Sequence, residues 1–133
     1  MGFKEIDHQA DLAFEVWGKD EIELLESIIS LLEKLFGIKK LENVIVKYET
    51  FHYETFEDLI FEVGNELIYL FTKHNLFPKD LNLNINRKKL EIGFSKVISK
   101  NEEELSELKA LTYHKLELDR SERLLRTYLI FDV

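Results

Sequence analysis

Two carboxylates and an imidazole stand within five residues in Asp7-His8-Gln9-Ala10-Asp11, between a short apolar lead-in, Gly2 to Ile6, and a strand-like run, Leu12 to Trp17. Charged groups at the mouth of a segment built for burial are costly unless hydrated, paired or bound to something. His8 and Asp11 form an H-x-x-D spacing in a loop that leads into a strand. In one reading Asp11 closes a turn and His8 hydrogen-bonds the backbone. In the other, both belong to a site completed from elsewhere in the chain. The best partners lie at the far end, where Asp132 and the terminal carboxylate of Val133 place two carboxylates on adjacent residues. With Asp11 from a neighbouring strand they would form a partial oxygen shell for one hard divalent cation, of the Ca²⁺ or Mg²⁺/Mn²⁺ class. The plain alternative leaves Asp132 as a terminal, solvent-facing residue.

Other candidates are weaker. His114 falls between Thr112 and Leu116 on one side of an alternating run, where a lone histidine is more often a satisfied core residue than a ligand. Lys109 and Tyr113 share the opposite parity and could position an anion, or could be the polar face of an ordinary strand. The six serines lack an evident base, and no G-x-S-x-G elbow is present. The five glycines are scattered singly, so neither a Walker loop nor a dinucleotide fingerprint can be written. With no cysteine, thiolate nucleophiles, disulfides and Cys-based zinc sites are excluded.

The elements that must position these residues are legible in outline. Leu12, Phe14 and Val16 alternate with Ala13, Glu15 and Trp17, the period of a half-buried strand that Gly18 ends. Asp20 with Glu23 reads as a capping-box variant ahead of an amphipathic helix, Leu25 to Phe36, stopped by Gly37. Val44, Val46 and Tyr48 open another strand, and Phe51 and Tyr53 on the opposite parity call for a bulge or for cover on both faces. Thr55 with Asp58 caps a second helix carrying Phe56, Leu59, Ile60, Val63, Leu67, Leu70 and Phe71, and Pro78 closes the connection after it. From Leu81 the pattern is all strand, with a hairpin at Arg87-Lys88. An acidic loop or frayed helix follows over Ser99 to Glu107. Two final strands, Leu108 to Leu118 and Leu124 to Val133, are joined by a charged turn. The expected fold is α+β: a mainly antiparallel sheet with two amphipathic helices packed on it, in one compact domain spanning 1–133.

Charge narrows the function. Acidic residues outnumber basic ones 26 to 18, a net charge of −8, so direct nucleic-acid binding is not expected and a cation or basic protein partner suits the field better. No apolar run approaches the roughly 20 residues that span a bilayer, and no signal-peptide pattern opens the chain. A soluble cytoplasmic protein with no membrane contact is the expectation.

Four ordered blocks carry a family resemblance: Asp7-His8-Gln9-Ala10-Asp11 before a strand ending Trp17-Gly18, Glu66-Leu67-Ile68-Tyr69-Leu70-Phe71, Lys109-Ala110-Leu111-Thr112-Tyr113-His114, and Ile130-Phe131-Asp132-Val133. Together they resemble the archease family. Its usual opening is H-T-A-D, where this chain has Gln9 for the threonine, and the last hairpin lacks the family's common glycine and tryptophan. The resemblance implies an accessory protein rather than an enzyme. Its partner would be the GTP-dependent RNA ligase of tRNA splicing, whose guanylylation and multiple turnover such proteins promote through an acidic metal site. It maps the metal-binding residues to Asp11, Asp132 and Val133, with His8, Lys109 and His114 in support. The alternatives are a stand-alone metal-dependent phosphoester hydrolase using His8, Asp11, His114 and Asp132, and an acidic chaperone or modulator of tRNA modification.

Overall fold

The computed structural model describes residues 1–6, 12–101 and 107–133. Within them the chain forms β1 (Gly2–Ile6), β2 (Leu12–Gly18), α1 (Glu21–Leu35), β3 (Ile38–Leu41), β4 (Lys47–His52), α2 (Phe56–His74), β5 (Leu76–Asn84), β6 (Lys89–Lys100), β7 (Ala110–Leu111), β8 (Asp119–Ser121) and β9 (Leu124–Asp132).

Both helices begin where local chemistry says they should. The Asp20 carboxylate accepts from the Glu23 amide at 2.9 Å, and the Thr55 hydroxyl accepts from the Asp58 amide at 3.1 Å, each satisfying a donor that the first helical turn leaves unpaired. Helix α1 stops at Gly37, whose φ of 66° suits a residue without a Cβ, and whose backbone lies so near Asn101 that a side chain there would collide with its carbonyl. Helix α2 ends instead on Asn75 in the left-handed region, a role asparagine tolerates better than most residues.

The strands form two antiparallel sheets. In the first, β1, β2, β9 and β7 lie in that order, with β8 also on β9; in the second, β6 is flanked by β3 and β4 on one side and β5 on the other. Helix α1 lies on β2, β1 and β9, while α2 lies on β5 and β4 and reaches across to β7. Phe14, Val16, Leu129 and Phe131 of the first sheet, Leu90, Ile92 and Phe94 of the second, and the apolar stripes of both helices close one core. Stacked Phe36 and Phe71 rings, 4.1 Å apart, join the ends of the helices inside it. This is the α+β arrangement that the sequence pattern implies.

Several elements differ from the sequence reading. The strand expected over Leu108 to Leu118 is cut to Ala110–Leu111, because the chain turns at His114-Lys115, with Lys115 at φ 58°, before β8 begins. Leu108 and Leu111 are both buried, which strict alternation forbids. Strand β3 was not expected, and β6 runs on to Lys100 where a loop was expected from Ser99, because β3 pairs with its last residues. Pro78 does not close a loop: it sits inside β5 at a register shift, where a residue without an N–H is tolerated. In β4 the register is unbroken and Phe51 faces the core, while Tyr48 on the opposite face, and Val44 and Val46 in the segment before the strand, are exposed. The acidic run Glu102-Glu103-Glu104 lies outside the described residues.

Ser27, fully buried on α1, ties three elements together. Its hydroxyl accepts from the Gly2 amide at 3.1 Å and lies 2.7 Å from the Trp17 carbonyl, so β1, β2 and α1 meet on one oxygen. Replacing Ser27 with Ala strips the Gly2 amide of its acceptor and is expected to cost about 1–2 kcal/mol in urea unfolding. A loss below a few tenths of a kcal/mol would show that this junction is dispensable.

Candidate functional site

The end of β9 is built by pairing on both of its edges. On one side Leu12 of β2 stands opposite Phe131, and the register runs unbroken back to Gly18 opposite Leu125. On the other, Ala110 stands opposite Asp132; the Lys109 amide donates to the Asp132 carbonyl at 2.9 Å, and the Thr112 amide to the Ile130 carbonyl at 2.8 Å. The backbone of Asp132 is therefore fixed while its side chain stays exposed, with no ion-pair partner among the described residues. Val133 follows it, also exposed. Asp11 and His8 lie outside the described residues; in the covalent chain Asp11 is one peptide bond from Leu12, as Asp132 is from Phe131. Among the described residues no group of three His, Asp or Glu side chains is arranged to hold a metal, and those residues contribute Asp132 and Val133 of the expected ligands.

Strand β7 reaches this position because α2 receives it. Asn65 turns its amide to the backbone of Leu111: the Leu111 amide donates to Oδ1 at 2.8 Å, and Nδ2 donates to the Leu111 carbonyl at 3.1 Å. The side chain thus pairs as a neighbouring strand would. Gly64, beside it, leaves the space that the Leu111 side chain fills; a Cβ there would come within 2.5 Å of Leu111 Cδ2. A glycine inside a helix costs about 1 kcal/mol relative to alanine, so its presence in the middle of α2 is accounted for by this approach. Sequence reasoning passed over both residues, although two poor helix formers in a row within a strong apolar stripe were the available signal. Tyr113 extends the attachment: its hydroxyl donates to the Asp58 carboxylate, and its ring packs on Phe61, 4.9 Å between centroids. That hydrogen bond, with burial behind it, raises the Tyr113 pKa above its ordinary value.

The supporting residues separate. His114 is exposed rather than in the core, because the turn at 114–115 carries it away from the strand, and it lines a groove of about 1000 Å³ with Lys4, Glu15, Tyr128 and Ile130. Alternation along β9 puts Tyr128, Ile130 and Asp132 on one face, so His114 borders the face from which Asp132 projects. Lys109 instead lines a different groove, with Lys73, Lys100 and Tyr69 against α2. The backbone of Lys109 serves the end of β9, and its side chain faces elsewhere.

A second acidic feature has no signature in the sequence. Glu49 of β4 and Asp58, Glu62 and Glu66 of α2 line a groove of about 640 Å³ with Thr50 and Phe51. Glu49 Oε1 is buried, and the Glu49 carboxyl hydrogen-bonds that of Glu66. Burial first, then the neighbouring Glu66 carboxyl, push the Glu49 pKa up from about 4.5 to about 7, with Lys47 opposing and Glu62 adding to the shift.

The chain is thus an α+β protein of two antiparallel sheets and two helices, whose last strand ends on an exposed carboxylate. The family model described as the archease protein family (MTH1598/TM1083) matches residues 3–133, and the chain belongs to that family. Protein archease of Thermotoga maritima is 33% identical over 129 residues, covering 97% of this chain and 98% of the relative. Protein archease of Archaeoglobus fulgidus is 30% identical over 145 residues, covering both chains completely. Among solved structures, the crystal structure of a Thermotoga maritima archease, described as a possible chaperone, superposes with a TM-score of 0.78 at 32% identity, over 98% of this chain and 96% of that one. The solution structure of Methanobacterium thermoautotrophicum protein 1598 shares the fold, with a TM-score of 0.75 at 22% identity and 99% of each chain covered.

Two outcomes follow from this geometry. Replacing Asn65 with Leu leaves the Leu111 amide and carbonyl without their partner, at a cost of about 2 kcal/mol; amide exchange should accelerate over 109–112 while α1 keeps its protection, and uniform protection would deny Asn65 this role. For Glu49 the raised pKa means that the folded state holds a proton the unfolded state releases. Its stabilising contribution is complete below about pH 4.5 and is lost as pH rises through about 7. Glu49→Gln should therefore raise the urea midpoint at pH 8, by an amount that shrinks as pH falls toward 4.5. A gain independent of pH would contradict the assignment.

Proposed function

We propose that the protein is an accessory factor of the GTP-dependent RNA ligase of tRNA splicing, promoting guanylylation and repeated turnover of that enzyme through a divalent ion bound at the end of β9. Family membership supports the class of role. The observation that carries the site is the pairing on both edges of β9, which fixes the Asp132 backbone and leaves its carboxylate in solvent without a counter-charge among the described residues.

The ligands in this reading are Asp11, the Asp132 side chain and the Val133 carboxylate. These are hard oxygen donors of the kind Ca²⁺, Mg²⁺ and Mn²⁺ prefer. Like charges gathered at one sheet end repel unless a cation joins them, which gives such a cluster a reason to bind one. A bound divalent ion supplies positive charge to which phosphoryl oxygens can be drawn. The chain's own residues do the positioning: Lys109 and Ala110 hold the Asp132 backbone, Leu12 holds that of Phe131, and His114 borders the same face. His8 is assigned a supporting place beside Asp11. Activity in this reading belongs to the partner enzyme.

The test is a ligation assay with limiting ligase, joining a 2',3'-cyclic phosphate end to a 5'-hydroxyl end. Addition of the protein should raise the number of turnovers per ligase, and Asp11→Ala or Asp132→Ala should return it to the level of ligase alone. Calorimetry with Ca²⁺ and Mn²⁺ should show heat of binding that both variants lose. Full stimulation by both variants would sink the ion site. Turnover of a phosphoester by the isolated chain would favour a hydrolase instead.

A further inference from the structure

Strand β4 hydrogen-bonds β6 along one edge, and its other edge has no partner strand among the described residues. A free edge presents a row of unpaired amides and carbonyls that another strand can join. On its inner side lies the groove of Glu49, Asp58, Glu62 and Glu66; on its outer side Tyr48 is 63% accessible, and Val44 and Val46 are exposed in the segment that leads into the strand. The edge thus has an acidic groove on one side and exposed apolar side chains at the start of the other.

We propose that this edge receives an extended strand from a partner protein, one that alternates basic and apolar residues. Three features favour that occupant. Asp58, Glu62 and Glu66 follow one another at i, i+4 and i+8, so their positions advance about 6 Å per step along α2. Same-face residues of a strand repeat every 6.7 Å or so, and Lys or Arg at alternate positions of an added strand would meet the helix carboxylates nearly in step. The intervening residues then fall on the side of Val46 and Tyr48. Glu49, whose carboxyl hydrogen-bonds that of Glu66, joins β4 to the row of helix carboxylates in the same groove. Asp58 already accepts from Tyr113, which leaves Glu49, Glu62 and Glu66 as the main recognition groups, with Lys47 the one cation of β4 beside them.

A second copy of this chain fits less well. It would bring its own four carboxylates to the same junction on a protein that already carries a net charge of −8. Strand addition with alternate side chains read by a neighbouring surface is an established mode of peptide recognition. The edge belongs to the second sheet and the β9 end to the first, and none of the groove's carboxylates is among the ligands proposed for the ion.

The probe is a synthetic nine-residue peptide alternating Lys and Val, titrated into the full chain labelled with ¹⁵N. Amide shifts should centre on residues 47–52. The double variant Glu62→Lys, Glu66→Lys should bind at least about tenfold more weakly, as should a peptide with proline at its centre, which cannot complete the ladder. Glu62→Gln with Glu66→Gln serves as the milder pair if far-UV dichroism shows the lysine variant unfolded. Shifts confined to other surfaces, equal affinity for the proline peptide, or indifference to both variant pairs would overturn the proposal. So would a concentration-dependent dimer in sedimentation that Glu62→Lys disrupts, which would assign the edge to a second copy.

Discussion

The hydrogen bonds that Asn65 makes with both backbone groups of Leu111 are the constraint on which the candidate site depends. A strand of two residues, Ala110–Leu111, has too few ladder bonds to hold itself against solvent. The asparagine adds a strand-like partner on the free side, and Gly64 removes the atom that would keep the two elements apart. Because Ala110 then stands opposite Asp132, a contact on the middle of α2 fixes the last residues of the chain. Tyr113, bonded to Asp58 about two helical turns nearer the start of α2, sets the same segment from its other end.

Around this attachment the molecule divides its charge. The first sheet ends in an exposed carboxylate held by a well-paired backbone, and the face beside it mixes Lys4, Glu15 and His114. The second sheet meets α2 across a groove in which four carboxylates crowd together. In a chain built around an apolar core, such crowding is a local cost, since desolvated like charges destabilise the folded state. Both acidic places lie on α2 or on an element that α2 attaches, so one helix organises the core and both of the surfaces proposed to act.

Membership of the archease family accords with this distribution of chemistry. What the fold displays is a fixed strand end and an open sheet edge. Both are features by which a small protein can act on another one.

What the sequence determined by itself is what local physics determines. Helix starts at Asp20 and Thr55 are set by side chains reaching amides three residues away, and the inward faces of β2 and β9 follow from period-two alternation. Apolar stripes on both helices required a sheet to cover, which is enough for the α+β class. The end of β9, with Asp132 and Val133, was likewise visible as a candidate from its residue types alone. Tertiary structure decided the rest, because the forces involved join residues far apart in sequence. Strand β3 exists because β6 is there to pair with it, and β7 is short because the chain must turn to bring Tyr113 to Asp58 and Leu111 to Asn65, 46 residues away. Glu49 and Glu66 are unremarkable acids in the sequence, and only the packing of α2 over β4 brings them together. Alternation predicted where side chains point; which neighbour each would meet depended on contacts that no local pattern encodes.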